Sequence, residues 1–575
     1  MRPVFPFLAR DASFSKTSRS LVSTRRVSST SQPPPEHETL FRYDRARWIW
    51  NEEQQLARRY RKFQVDELKK VAIGTVNARS CVSIEKIFDG AQNRVLQLNM
   101  DNGRSVVACI PYTFAGPARL TTLSEIATMA FARDILNIPV PEVLAWSGNA
   151  RNPVGSEFII MEDLEAAGAK QLAYAWDYEL KLPAKIRIAK DFVDIQARLL
   201  STTFKHYGAL YFKVHAPPGS VPAVIDGPHP DSVKSMVKDR FMIGPVTNPS
   251  FWRGERDTLP ASRGPWQTPQ EYLEAIVDRE IAWLNRWKPP TEKRHPAMPA
   301  FKGTRRISTL DEASSQIDTY ERFRKMIPFL PPGPPEWSQS VLNHCKLDTG
   351  DLYVKDDQLF SVADWQNSWA GPLFYTTALP SFLKLTGEEL HKLPENYAEL
   401  SDEEQTKTRS AYDSTAVFKH FAIDACEKTE VLVDIWDHIL SKANFNILPH
   451  LVDAGADFNA HTLRNWLMRY IRHWDWVAPD AECPVEMSDE EYSKTMDRDF
   501  AEEFNGWQDF WEKPEKGGNF KRDGWVVEEC YDDVLELFRE LRRKLLGDEE
   551  ESAEKKAEYE EATRWVLEKK LSTEV

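Results

Sequence analysis

Between Ser338 and Gln366 the chain reads SQSVLNHCKLDTGDLYVKDDQLFSVADWQ, which gathers His344, Lys346, Asp348, Asp351 and Asp364 into one short run. A loop centred on His344 is followed by a strand from Leu352 to Val354, a turn from Lys355 to Gln358, and a second strand that ends at Asp364. Phosphoryl transfer needs parts that position ATP, hold magnesium against its phosphates and orient an acceptor hydroxyl beside a base, since most of that catalysis is placement and electrostatics. This run offers a place for the metal and for the base. Carboxylates such as Asp351 and Asp364 are magnesium ligands by type.

Elements that could position such a site precede it. Residues 36–70 mix aromatic and charged residues at helical spacing and predict a helical lead-in. Short β-rich runs follow in VSIEKIFDG, RVLQLNMDNG and SVVACIP, with Asp101-Asn102-Gly103 as a hairpin turn. TTLSEIATMAFARDIL sets Leu123, Ile126, Ala127, Ala130 and Phe131 on one stripe, as an amphipathic helix packed on a small antiparallel sheet would. IPVPEVLAW and EFIIMED return to strand character. Residues 71–163 therefore predict an α+β lobe, and 164–480 a larger, mainly helical lobe that opens with PAKIRIAKDFVDIQARLL. Within the second lobe, residues 214–300 are rich in Pro, Gly and Trp and read either as an irregular substrate surface or as a packed insertion. Residues 481–575 form a C-terminal extension with helical patterning, ending in a highly charged helix that reads as solvated or as a docking element for a protein partner.

The run from His344 to Asp364, taken with IPVPEVLAW, EFIIMED, HYGALYF and DWQNSWAGPLF, resembles the kinase-like aminoglycoside phosphotransferase family, and within it the fungal mitochondrial members. The resemblance extends from residue 41 to about residue 480. It implies a two-lobed protein-kinase-like fold of α+β class, with an antiparallel-sheet N-lobe and a helical C-lobe, and Mg-ATP as cofactor. Residue by residue, it puts Asp364 at the family's magnesium-binding carboxylate, and Asp351 where the family has a metal-binding Asn. His344 falls where the family orients its catalytic loop. Met161, Glu162 and Asp163 align with the interlobe hinge, whose backbone groups would bond an adenine ring. The turn Asp89-Gly90-Ala91-Gln92-Asn93 stands where the family covers the phosphates, or is an ordinary hairpin.

Two positions depart from the family pattern. Lys346 occupies the place of the catalytic Asp, and an ammonium with an ordinary pKa of about 10.4 has no lone pair to accept a proton near neutral pH. Asp348, two residues on, is the substitute base if the loop adopts another geometry. Cys109 stands where the family has the Lys or Arg that contacts the α and β phosphates, and reads by itself as a small apolar residue inside a sheet; Glu125, which would pair with that cation, is left without it or is a solvated helix residue. Arg94 or Arg104 could reach the phosphates instead. The two losses predict a pseudokinase-like protein with negligible ordinary turnover, in which Mg-ATP binding can outlast catalysis. Two readings stay open beside it: an active phosphotransferase acting on a small-molecule or protein hydroxyl, and a mitochondrial scaffold that binds no nucleotide.

Composition bounds the partners. With 575 residues, 42% of them hydrophobic, the chain can bury several cores, and its net charge of −14 argues against a nucleic acid partner. No window is long and apolar enough to predict a membrane-spanning helix. Cys81, Cys109, Cys345, Cys426, Cys483 and Cys530 are far apart without zinc spacing, and are expected to be reduced and mostly buried. The first 35 residues carry six basic residues, one acid and eight serines, which is the composition of a mitochondrial transit peptide.

Overall fold

The computed structural model describes residues 37–286, 310–441, 460–495 and 524–547, apart from 331–333, 346, 376–378 and 386–387, with scattered positions from 552 to 568. The basic leader 1–35 and Lys346 lie outside the described residues.

The chain opens with α1 (Glu38–Phe41), β1 (Ala46–Trp48), α2 (Glu52–Arg59) and α3 (Val65–Thr75), so the lead-in is helical but broken by a short strand. There follow β2 (Cys81–Asp89), β3 (Asn93–Met100), β4 (Ser105–Pro111), α4 (Leu120–Asp134), β5 (Val143–Ser147) and β6 (Phe158–Glu162). The five strands form one antiparallel sheet in the order β2-β3-β4-β6-β5. Strict alternation along β3 and β4 sends Leu96, Leu98, Val106, Ala108 and Ile110 to one face, where they pack with Leu68 and Ala72 of α3. The other face, carrying Val95, Gln97, Val107 and Cys109, is left for the cleft.

A helix with one apolar stripe would lie on the sheet with its back to solvent, but α4 is buried nearly all round. Leu123 and Ile126 meet Ile159 of the sheet, while Phe131 reaches into the second lobe, edge-on to Phe241. The small residues Ala127, Thr128 and Ala132 let neighbours approach on its remaining sides. That wedge between the lobes is the element that holds Glu125.

The second lobe begins with β7 (Lys170–Gln171), α5 (Leu172–Tyr178) and α6 (Leu182–Leu200). Ile188, Phe192, Ile195 and Leu199 of α6 join a core shared with Val417, Phe421 and Ala425 of the helix 402–428. That helix starts at a capping box in which Ser401 and Glu404 bond each other's backbone amides. The region 214–300 proves to be packed where it is described. Its helices 231–240 and 269–286 are regular, and Tyr272, Ile276 and Leu284 share a second core with Tyr320, Phe323 and Leu467.

In the C-terminal extension a short strand joins the described helices, and most of the charged stretch that begins at Asp548 lies outside the described residues. Trp525–Val527 is a strand that pairs antiparallel with β1, and Val526, Val534, Leu535, Phe538 and Val566 close over Ile49. The Arg47 guanidinium lies 3.6 Å above the Tyr531 ring, and Trp525 Nε1 donates to the Tyr43 hydroxyl. All six cysteines are free, as expected, but Cys345 and Cys426 are exposed and the other four only partly buried.

Candidate active site

Two antiparallel strands, 352–355 and 358–362, form the hairpin that carries the acidic residues, and its turn residues Asp356 and Asp357 both have positive φ. Two successive left-handed residues make the type I′ geometry that matches strand twist, and Asp tolerates it better than most side chains. At the open end of the hairpin, Ala363 N–H donates to the Asp351 carbonyl at 2.8 Å. Asp351 and Asp364 are thereby set beside each other at the ends of neighbouring strands. Asp364 has φ 59° and is exposed, while Asp351 is buried. His344 Nε2 donates to the Ala363 carbonyl at 2.9 Å, and its ring packs edge-on against Trp365 at 4.8 Å. His344 thus ties its loop to the strand end that presents Asp364.

Asp348 faces a different task. Its carboxylate accepts from the Thr349 amide at 2.7 Å, from the Ser381 hydroxyl at 2.7 Å and from the Ser381 amide at 3.3 Å. These donors hold the side chain against Ser381 and the Thr349 amide.

Above the acids lies the sheet. Cys109 pairs with Val95 on one side and Ile159 on the other, on the cleft face of β4. Burial raises the Cys109 thiol pKa, and Glu125 and Asp364 raise it further. Glu125 is pushed up to about 8, first by burial and then by the charge of Asp364. Cys109 and Glu125 therefore lie within the field of the exposed Asp364, and the sulfur supplies no positive charge to offset the two acids.

Neither arginine substitutes for it. Alternation along β3 puts Arg94 on the α3 face with Leu96, fully buried, where its Nε donates to Asp89 at 2.7 Å and its Nη2 to the Arg42 carbonyl at 2.8 Å. Tyr112 O–H completes the set by donating to the same Asp89 oxygen. Arg104 sits in the turn after β3, where its carbonyl accepts from Met100, at the far end of the strands from Gly90. Seven residues of extended chain make that roughly 20 Å.

At the hinge, Met161 pairs with Val107 and Glu162 with Val106. Asp163 accepts from Gln97 Nε2 at 2.7 Å, from the Ser105 hydroxyl at 2.6 Å and from the Ala166 amide at 3.0 Å, so its side chain staples the hinge to the sheet. The Gly90 turn is closed by a Gly90 N–H to Asn93 carbonyl bond, and a β-carbon at Gly90 would meet the Asn93 side chain at 2.8 Å. Asn367, not singled out from the sequence, donates from Nδ2 to Gln92 at 2.7 Å and so joins that turn to the segment after Asp364. The signal available for it was its place three residues beyond Asp364, at a left-handed φ that Asn favours.

No family model matches the chain. A protein of Aspergillus fumigatus named subtelomeric hrmA-associated cluster protein is 25% identical over 80% of this chain and 92% of its own length. Proteins named altered inheritance of mitochondria protein 9, mitochondrial, are also similar: that of Yarrowia lipolytica is 24% identical over 87% of this chain and 86% of its own, and that of Candida tropicalis 27% over 58% and 55%. Among solved structures, an aminoglycoside phosphotransferase in a ternary complex with streptomycin and ATP aligns at 13% identity over 70% of this chain and 98% of that one, with a TM-score of 0.32. APH(4)-Ia aligns at 14%, over 68% and 99%, with a TM-score of 0.30. The architecture rests on the chain's own topology: a five-stranded antiparallel sheet, a helix wedged beneath it, a hinge, and a helical lobe with the acidic hairpin facing the sheet. The chain is two-lobed, and its sequence is similar to those of the fungal proteins named altered inheritance of mitochondria protein 9.

Proposed function

We propose that this is a mitochondrial pseudokinase-like protein, whose interlobe cleft binds Mg-ATP while ordinary phosphoryl transfer is lost. The observation that carries the reading is the joint placement of Asp351 and Asp364 at one strand end, opposite a cleft wall where Cys109 replaces a cation beside Glu125. The donor set suits the metal. Magnesium in nucleotide sites is held by one or two carboxylates plus phosphate oxygens, and among the described residues no group of three or more His, Cys, Asp or Glu is arranged to hold a metal by itself. Asp351 and Asp364 are the residues that would hold it, and the bound ion would neutralise phosphate charge. The backbone of Met161 to Asp163 would take the base, and the Gly90 turn would cover the phosphates. With Asp348 engaged by Ser381, the base of an active phosphotransferase has no support.

The mitochondrial part draws on the names of the relatives and on the basic leader. No described helix is long and apolar enough to cross a membrane.

A thermal-shift titration with Mg-ATP tests the nucleotide reading, since a ligand bound only by the folded state raises its apparent stability by about 2.7 kcal/mol at a hundredfold excess over Kd. A dose-dependent rise in Tm is expected, and Asp364→Ala should lose most of it. No rise in either protein would favour a scaffold that binds no nucleotide. Residues 1–35 fused to a reporter should carry it into mitochondria, and a reporter left in the cytosol would refute the targeting.

A further inference from the structure

The turn at Gly90 is held from beneath by residues that arrive from both ends of the chain. Asp89, which opens the turn, is buried, and three side chains grip it. Arg94 Nε and the Tyr112 hydroxyl each donate to Oδ1 at 2.7 Å, and Lys86 Nζ stands 3.0 Å from Oδ2. The two cations are seated in turn on the segment before β1. Arg94 Nη2 and Lys86 Nζ both donate to the Arg42 carbonyl at 2.8 Å, Lys86 pairs with Asp44 at 2.7 Å, and Arg45 Nη1 reaches the Asp89 carbonyl at 3.4 Å. Residues 42–45 thus form the seat of the turn.

That seat is fastened by the far end of the chain. Trp525 Nε1 donates to the Tyr43 hydroxyl at 3.1 Å, and the strand Trp525–Val527 pairs with β1 directly after it. Tyr43, Ala46, Trp48 and Tyr112 make one buried cluster, with Phe114 and Trp525 packed against it. The tyrosine that holds Asp89 and the tryptophan of the C-terminal strand therefore share a core. Arg59 closes it from the end of α2, its guanidinium 4.4 Å above Trp48 and 5.0 Å above Phe114. Gly524 seats the strand: its φ is 89°, its carbonyl accepts from the Ile49 amide at 2.8 Å, and a β-carbon there would stand 2.9 Å from the Trp50 indole. A side chain at that position pushes the strand off its seat. On the opposite side of the turn, Gln92 is bonded to Asn367, three residues beyond Asp364. The turn lies between two anchors, one leading to the acidic hairpin and the other to the C-terminal strand.

We propose that Trp525–Val527 is a strap that sets the position of the Gly90 turn, so that docking or release of the C-terminal segment raises or lowers the affinity of the cleft. The link to affinity rests on the nucleotide reading, in which this turn covers the phosphates; the link to the turn does not. Apparent affinity falls in proportion to the fraction of molecules in the competent arrangement, and the docked strap keeps that fraction high.

Hydrogen exchange on the full chain without ligand reads the strap directly. Trp525→Ala and Gly524→Ala are each expected to speed exchange about tenfold at residues 42–48 and 88–94, while peptides from the Asn102 hairpin and from helix 402–428 keep wild-type rates. Arg543→Ala removes only a surface pair with Glu536 in the same extension and should leave all of these unchanged. Calorimetric titration with Mg-ATP should show weaker binding in the two strap variants and wild-type binding in Arg543→Ala. If residues 42–48 loosen while 88–94 keep their rates, the strap ends at its seat and the proposal falls. It falls equally if both variants speed exchange throughout the chain, as a general loss of stability would. Unchanged Mg-ATP affinity in variants whose turn has loosened overturns the link to the cleft. A wild type that binds no triphosphate would sink the nucleotide reading alone, and exchange would still decide the strap.

Discussion

Glu280→Ala is expected to destabilise the second lobe by roughly 3–5 kcal/mol, enough to unfold much of it near physiological temperature. Glu280 is wholly buried between two wholly buried arginines. Arg256 holds it with two bonds, Nε to Oε1 at 2.7 Å and Nη2 to Oε2 at 2.6 Å, and Arg279 adds Nε to Oε1 at 2.7 Å. Arg279 also reaches the Ser250 hydroxyl at 3.3 Å, and the guanidiniums lie 4.4 Å above Trp283 and Phe251. Removing Glu280 takes from both buried guanidiniums the carboxylate they share, and deleting one partner of a buried ion pair costs far more than the intact pair contributes. Tryptophan fluorescence during urea unfolding, with Trp283 as an internal reporter, should show an early transition in the variant. Coincident curves for variant and wild type would mean that the cluster relaxes by admitting water.

The second large effect is on pH dependence, through Glu125. Its folded pKa of about 8 stands above the ordinary 4.5, so between those values the native state holds a proton that the unfolded chain has released. Stability therefore falls as pH rises across that window. The drop could reach on the order of 5 kcal/mol if the whole shift were expressed in stability. Glu125→Gln, which stays neutral, should flatten the profile of Tm between pH 5 and 8. A lysine at position 109 should act from the other direction, since its ammonium would face Glu125 and draw the carboxyl back toward its ordinary range. If wild type and Glu125→Gln lose stability in parallel, the carboxyl is reached by water and its surroundings are looser than drawn.

Much of the site could be read from the chain because it is nearly continuous there. Asp351 and Asp364 flank one hairpin, and strand alternation with a short polar turn is the signal that period-2 patterns carry well. The same alternation puts Arg94 on the face of Leu96 and Leu98, away from the cleft, and so overturns the expectation that it could reach the phosphates. Nothing in the Pro-, Gly- and Trp-rich region 214–300 marks Arg256, Arg279 and Glu280 as a buried cluster. Their burial follows from helix 269–286 packing against helix 310–326, which no local pattern announces. The pairing of β1 with Trp525–Val527 was the least legible feature, since three-residue strands carry almost no periodicity.

That last pairing sets an order of events. The hydrogen bond from Trp525 to Tyr43 joins residues 482 apart, so the strand Ala46–Trp48 is synthesised long before the strand it pairs with. Closing so long a loop is not prohibitive, because the entropic cost grows only with the logarithm of its length. Until then the first strand offers an open edge, and Ile49 and Trp48 have no cover from the far end of the chain. A nascent chain, or one drawn through a narrow pore from its amino end, would carry that exposed edge until the partner strand followed, and would need a holding factor where a protein stitched from neighbouring segments would not.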